Sequence, residues 1–233
     1  MNQRAENIDW GALARPAMAV HLAVTAVLVT INISPLINSW SVAALFELNA
    51  ESNASVWFSS TSLLLIAALA AGLAVRDPGS HRLGWGLVAA FFALLSLDET
   101  ASIHELVGLL FSERVAELQA LPGLYAWVAI VAPPALIIAL VMARWILRRI
   151  PAGYSARWLV PTAIAIWCCV PLAEFLDPIL GMPRALVVLE EALELIGMAL
   201  MLGALLEISG PPKPRSGRDS VTNRVLDRVA EPI

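Results

Sequence analysis

Long apolar runs separated by short polar stretches dominate the chain. A helix needs about 20 residues to cross the hydrocarbon of a bilayer, and the runs meet that length. They predict six transmembrane helices at about residues 17–37, 56–75, 83–111, 123–147, 158–176 and 185–208. The helix that starts at Leu83 is predicted to continue unbroken to Phe111, and the fourth is predicted to kink at its two adjacent prolines, Pro133 and Pro134.

The polar stretches complete the predicted organisation. A short interfacial helix is predicted at about residues 42–48, between the first two spans. Residues 210–233 are rich in Pro, Ser and Arg and are predicted to form a flexible tail. The expected fold is therefore an all-α polytopic bundle, with a six-helix membrane domain over residues 1–209 and a tail over residues 210–233.

Composition and charge agree with this pattern. Of the 233 residues, 59% are apolar and only 15% are charged, which excludes an ordinary soluble domain. Thirteen of the fifteen basic residues fall in the termini and in the second and fourth loops, and the other loops hold only Arg114 and Arg184. Because cytoplasmic loops carry an excess of Lys and Arg, we expect both termini in the cytoplasm. We expect the membrane to be a bacterial-type inner membrane.

Two carboxylates interrupt the third run before a membrane should end. Only fifteen residues separate the start of that run, at Leu83, from Asp98, which is followed directly by Glu99. Fifteen residues are too few to cross the hydrocarbon, so both side chains are predicted to lie inside the bilayer boundary. Ionisable groups at that depth usually face a bundle interior, a cavity or an ion.

The same helix carries further polar side chains one and two turns later. At 100° per residue, Asp98, Ser102 and Glu105 lie within about 60° of one another. His104 points about 120° away from Asp98 on a continuous helix, so the pattern does not require it to share their site.

The fifth and sixth spans also carry acids near their outer ends. Glu174 and Asp177 end the fifth, and the sixth carries Glu190, Glu191 and Glu194, which begin after five apolar residues, or about 8 Å into the span. Gly197 follows on the same face as Glu190 and Glu194, where it allows another helix to approach closely. We therefore expect the acids of the third and sixth spans to converge in an outer pocket, with those of the fifth as further candidates.

So many carboxylates close together need a cation or shared protons. Oxygen ligands suit Ca²⁺, Mg²⁺ or Mn²⁺, and an added His104 would suit Zn²⁺ or iron. The candidate ligands of a divalent metal ion are Asp98, Glu99, Glu174, Asp177, Glu190, Glu191 and Glu194. His104 and Glu105 are the candidate catalytic residues, as a general base on bound water. The alternative is an outer face that is simply acidic, which suits Glu47, Glu113 and Glu117.

Three function classes fit this pattern. The leading hypothesis is a metal-dependent membrane hydrolase that acts on a lipid or another amphiphile. The alternatives are a proton- or cation-coupled transporter and a non-catalytic assembly subunit. Mostly Leu, Ala and Ile lie below the acids, which disfavours a path through the membrane. No Gly-rich phosphate loop or basic, aromatic patch is present, so nothing indicates nucleic acid, and the expected partners are membrane lipids.

Overall fold

The computed structural model describes residues 9–50, 52–112, 126–176, 179–181 and 184–211. Every regular element in these ranges is helical, which confirms the all-α class. The α-helices are α1 (Trp10–Ile33), α2 (Trp40–Phe46), α3 (Ala54–Arg76), α4 (Arg82–Ala101), α5 (Ile103–Ser112), α6 (Ala126–Ile130), α7 (Ala132–Leu147), α8 (Ala156–Trp167), α9 (Val170–Leu176) and α10 (Arg184–Ser209). The predicted tail from residue 212 onward lies outside the described residues.

Within the described chain, four helical segments are long and apolar enough to cross a membrane. They are Trp10–Ile33, Ala54–Arg76, Arg82–Ala101 and Ala156–Leu176. The shorter α7 has 16 residues, and α10 has 26 but carries several acids. Large apolar side chains point away from the bundle, among them Val20, Leu64, Leu87 and Ile137. Long apolar helices with outward-facing apolar surfaces are those of a multi-pass membrane protein.

The C-terminal half of α10, residues 195–209, forms the centre of the bundle. Most of its residues from Leu195 to Ser209 are buried, and it packs against α1, α3 and α8. Small side chains make this possible: Ala199 and Ala204 have no exposed surface, and Gly203 lies against Met18 of α1. A helix that is buried all round is the expected core element of such a bundle.

Polar contacts join three helices at the end of this core where α3 and α10 end and α8 begins. We call it the basic end of the bundle, because it carries Arg76, Arg82, Arg144, Arg148, Arg149 and Arg157. The buried Glu207 of α10 accepts the backbone N–H groups of Ser155, at 3.1 Å, and Ala156, at 2.6 Å. These are free donors at the start of α8, and a carboxylate near a helix N-terminus is stabilising. Arg76 of α3 donates to the Ser209 carbonyl oxygen at 3.0 Å.

The predicted continuous helix from Leu83 to Phe111 is wrong, because the chain bends between α4 and α5. Ser102 has a left-handed backbone conformation, with φ of 46°. The Asp98 carboxylate accepts the backbone N–H of His104 at 2.8 Å and so satisfies a donor that the bend exposes. We call this bend the elbow, residues 98–104.

Prolines account for two further breaks. α6 ends at Ile130 and α7 begins at Ala132, so the helix divides just before Pro133 and Pro134, in agreement with the predicted kink. The fifth predicted span divides into α8 and α9 around residues 168–169. Pro171 has no N–H to continue the hydrogen-bond ladder there.

Candidate functional site: an acidic cavity

A cavity of about 530 Å³ lies at the end of the bundle where α4 ends and α10 begins. Its ionisable lining residues are Asp98, Glu99, His104, Glu105, Glu174, Glu190, Glu191 and Glu194. The structure therefore brings together every candidate site residue except Asp177, which lies outside the described residues. We call these eight residues the acidic cluster.

The rest of the cavity wall is mainly apolar. Four helices, α3, α4, α7 and α10, contribute apolar side chains, and α8 contributes its last residue, a tryptophan. These residues are Leu63, Phe91, Leu136, Ala139, Met198 and Trp167. The cavity lining thus combines charged and apolar side chains. Such a mixed lining suits a ligand that is itself amphiphilic.

The elbow brings His104 to the cluster. Its ring Nδ1 lies 2.8 Å from Asp98 Oδ2, and its ring packs edge-on against Trp127 at 4.6 Å between centroids. The direction expected for His104 is therefore wrong, because the left-handed Ser102 changes the helical phase between Asp98 and His104. With Nδ1 bonded to Asp98, Nε2 is the ring nitrogen that can bind an ion or take a proton.

His104 lies beyond the end of the third candidate span, at Ala101. Burial lowers the pKa of its imidazole, but the hydrogen bond to Asp98 and the charges of Asp98, Glu174 and Glu105 outweigh burial and raise the pKa above its ordinary value. The geometry and the surrounding charge therefore both favour a positively charged ring.

Glu174 connects α9 to α6. Trp127 Nε1 donates to Glu174 Oε1 at 2.6 Å, and Glu174 lines the cavity together with Glu190 of α10. Close carboxyl groups relieve their repulsion by sharing protons or by binding a cation. This part of the cluster therefore needs one or the other.

Glu99 is held from the opposite side by α3. Ser59, which is buried, donates its hydroxyl to Glu99 Oε1. One turn deeper, Ser60 Oγ and Ser96 Oγ lie 2.9 Å apart, and each hydroxyl also lies 2.9 Å from the other residue's carbonyl oxygen. These bonds fix α4 against α3 and so fix the depth of Glu99.

Gly197 allows the close approach that the sequence predicts, and the approaching group is an indole. A Cβ atom at Gly197 would overlap the Trp167 ring, and Trp167 Nε1 donates to the Glu194 carbonyl oxygen at 3.2 Å. Trp127 and Trp167 were not among the predicted site residues. The signal that could have found them is chemical: each carries a donor that suits the many acceptors of α4, α9 and α10.

The charges in the cavity do not balance. Its described lining includes seven carboxyl groups and one imidazole, and no Lys or Arg. Arg184 lies 4.0 Å from Glu47, and neither lines the cavity. In the part of the chain that the structure describes, no group of three or more His, Cys, Asp or Glu side chains is arranged to hold a metal ion. The predicted metal therefore stays a prediction.

The sequence places the chain in a family. The chain belongs to the family described as a domain of unknown function, DUF8692, whose model matches residues 17–208. The match covers the helices that carry the whole acidic cluster. No curated protein and no solved structure matches the chain.

Proposed function

We propose that the protein crosses a bacterial-type inner membrane six times, with both termini in the cytoplasm, and binds an amphiphile in the acidic cavity through a positively charged group. The observation that carries this proposal is the lining of one cavity by seven carboxyl groups together with many apolar side chains. An amphiphile with a cationic group complements both kinds of side chain.

Electrostatics supports a cationic ligand. Carboxylates in a site of low dielectric repel one another strongly, and only protons or a cation can relieve the repulsion. Seven carboxyl groups line the cavity, so a bound cation relieves this repulsion in addition to any shared protons. That charge belongs either to the amphiphile or to a divalent cation that bridges the cluster and an anionic headgroup.

The aromatic residues of the wall suit the same ligand. Trp127 and Trp167 both line the cavity. A cation over a tryptophan face gains about 0.5–2 kcal/mol, with the larger value where water is excluded. Carboxylates and indoles together form a site for an ammonium group more readily than for a neutral or anionic one.

A second candidate function is hydrolysis of the bound amphiphile, and the Asp98–His104 pair favours it. A carboxylate on Nδ1 orients the imidazole, and once the ring has lost its second proton Nε2 can act as a general base on water or as a metal ligand. Glu105 lines the same cavity and is the alternative base. In this proposal the divalent ion, whether Ca²⁺, Mg²⁺, Mn²⁺ or Zn²⁺, is recruited together with the substrate, whose oxygen atoms complete its ligands.

Transport across the membrane is less well supported. A row of polar side chains does extend from the cavity along α3, because Ser59 bonds to Glu99 and Ser62 Oγ lies 3.0 Å from His21 Nε2 in α1. The row ends there, halfway along α1. From residue 63 to residue 75, α3 carries no polar side chain. A transporter needs such groups to continue to the other side.

The proposal is tested by thermal unfolding of the detergent-purified protein with three dodecyl compounds that differ in headgroup: trimethylammonium, sulfate and a neutral maltoside. The ammonium compound should raise the unfolding midpoint more than the other two. The same titration with Mg²⁺, Ca²⁺, Mn²⁺ or Zn²⁺, with and without chelator, separates an ion from a cationic headgroup. A ligand at 100 times its Kd adds about 2.7 kcal/mol to the stability of the folded state.

The matched variants are Glu190→Gln/Glu194→Gln, inside the cavity, and Glu47→Gln, at the same end but outside it. The double variant should lose the response, and the control should keep it. If no cation, organic or metal, shifts the wild-type midpoint more than that of the double variant, the proposed function is wrong.

A further inference from the structure

A second cavity lies at the basic end of the bundle, between α7 and α8. Its volume is about 550 Å³, within the range of pockets that take a drug-sized molecule. Three arginines line it, two from α7 and its C-terminus and one from the first turn of α8, over an apolar floor; the main residues are Arg144, Arg148, Arg157, Leu140, Ala143 and Ile164. We call this second cavity the groove, and it shares no lining residue with the acidic cavity.

The three arginines have no described counter-charge. All three side chains are exposed, and no described acidic side chain forms an ion pair with Arg144, Arg148 or Arg157. Among the described residues their side chains make a single hydrogen bond, a long one of 3.5 Å from Arg157 to the Ile150 carbonyl oxygen. Three positive charges therefore surround one apolar groove without an anion from the described protein.

The neighbouring Arg149 behaves differently. Its guanidinium stacks on the Trp145 ring at 3.6 Å and donates to the Trp145 carbonyl oxygen at 2.6 Å. It does not line the groove. Arg76 and Arg149 thus have partners in the protein, whereas Arg144, Arg148 and Arg157 face the groove.

We propose that the groove between α7 and α8 binds an anionic membrane lipid, with its phosphate between the three arginines and an acyl chain along the apolar floor. Guanidinium groups bind phosphate oxygens through paired hydrogen bonds. Basic pockets between membrane helices are the places where phosphate headgroups of lipids bind. Arg144 and Arg148 are one turn apart on the same face, so both reach one phosphate.

The apolar floor distinguishes a lipid from a free anion. Leu140 and Ile164 lie one to two turns deeper in the bundle than the arginines, on the two helices that form the groove. A free phosphate ion would use only the arginines and would leave this floor open to solvent or lipid. A lipid whose phosphate binds the three arginines places its acyl chain along this apolar floor.

Native mass spectrometry of the detergent-purified full chain tests the proposal. Dioleoyl phosphatidylglycerol is titrated, and the fraction of protein with bound lipid gives a Kd. Each of Arg144→Gln, Arg148→Gln and Arg157→Gln should weaken binding about fivefold, since a basic residue near an anionic headgroup contributes about 1 kcal/mol. Arg82→Gln, an exposed arginine at the same end but outside the groove, is the matched control and should change the Kd less than twofold.

Two further measurements identify the occupant. Leu140→Trp fills the groove without a change in charge and should reduce lipid binding as strongly as the loss of one arginine. Inorganic phosphate at millimolar concentration should not displace the lipid, and dioleoyl phosphatidylcholine should bind more weakly than phosphatidylglycerol. Equal effects of Arg148→Gln and Arg82→Gln would mean diffuse surface charge and overturn the proposal. Displacement by inorganic phosphate, or unchanged binding in Leu140→Trp, would overturn the lipid as occupant.

Discussion

One carboxylate, that of Asp98, holds both the backbone and the ring of His104: Oδ1 accepts the His104 N–H at 2.8 Å, and Oδ2 lies 2.8 Å from Nδ1. The two bonds do different things. The first satisfies a donor at the start of α5, and the second turns the imidazole toward the cavity. A single residue of α4 therefore sets both the elbow and the position of the one imidazole in the described cavity wall.

Loss of the Asp98 carboxylate should destabilise the elbow and so the folded protein. Asp98→Ala removes both bonds, and charged hydrogen bonds of this kind contribute about 1.5–3 kcal/mol each when a partner is lost. We expect a destabilisation of about 2 kcal/mol, since both side chains are only about a quarter exposed. Asp98→Asn, which keeps one acceptor, should cost less. Unfolding in mixed micelles measures both, with Thr100→Ala as the control on the same helix; an Asp98→Ala variant as stable as that control contradicts the role of the elbow.

Gly197 should tolerate no side chain. Its methyl group in Gly197→Ala would overlap the Trp167 ring, and overpacking of this kind costs about 1–3 kcal/mol. Gly86→Ala provides the comparison, because a Cβ there meets nothing within 4 Å and alanine is the better helix former. Thermal unfolding should show a lower midpoint for the first variant and an equal or higher one for the second. Equal behaviour of the two would show that Trp167 does not pack against Gly197.

Glu207 should stabilise the junction of α8 with α10. Glu207→Ala leaves the Ser155 and Ala156 N–H groups without their acceptor, which costs about 1–2 kcal/mol for a lost cap. Glu207→Gln keeps one oxygen acceptor and should recover about half of the loss. The measurement is again the free energy of unfolding, and a variant order in which Gln is no better than Ala contradicts the capping role.

The proposed sidedness rests on the distribution of basic residues along the sequence. A reporter fused after Arg149 should be active as a cytoplasmic reporter, and one inserted near Asn53 should be active as an external one. The six-span topology requires both results. The reverse pattern at either position would remove it and would place the acidic cavity on the other side of the membrane.

Several helix positions could be predicted because the bilayer imposes a length on them. The predicted spans 56–75 and 185–208 agree with α3 and α10 to within two residues at each end, whereas α1 begins seven residues before and ends four residues before the predicted span 17–37. The elbow could not be predicted by the same reasoning. It depends on a hydrogen bond between the Asp98 side chain and the His104 backbone N–H, which no periodic pattern reveals. It also depends on a left-handed backbone conformation at Ser102, which a glycine would have suggested but a serine does not.

The meeting of the acids was predictable from depth, but their partners were not. Glu190 and Glu194 lie far enough from their helix end that only an interior position suits them, and they line the cavity with Asp98. The tryptophans that complete the wall come from α6 and α8. Which helix faces which depends on packing among similar apolar surfaces, so an indole donor could not be assigned to a given carboxylate.

The central claim is that the carboxyl groups of the acidic cavity bind positive charge. Equilibrium dialysis of dodecyltrimethylammonium against the purified protein in a non-ionic detergent measures this directly, with Glu190→Gln/Glu194→Gln and Glu47→Gln in parallel. We predict one saturable site in the wild type and in Glu47→Gln. In the double variant binding should be at least about 30-fold weaker, because a carboxylate about 4 Å from a cation contributes about 1 kcal/mol even in bulk water and more where the dielectric is low. Equal affinity in the wild type and the double variant would contradict the claim.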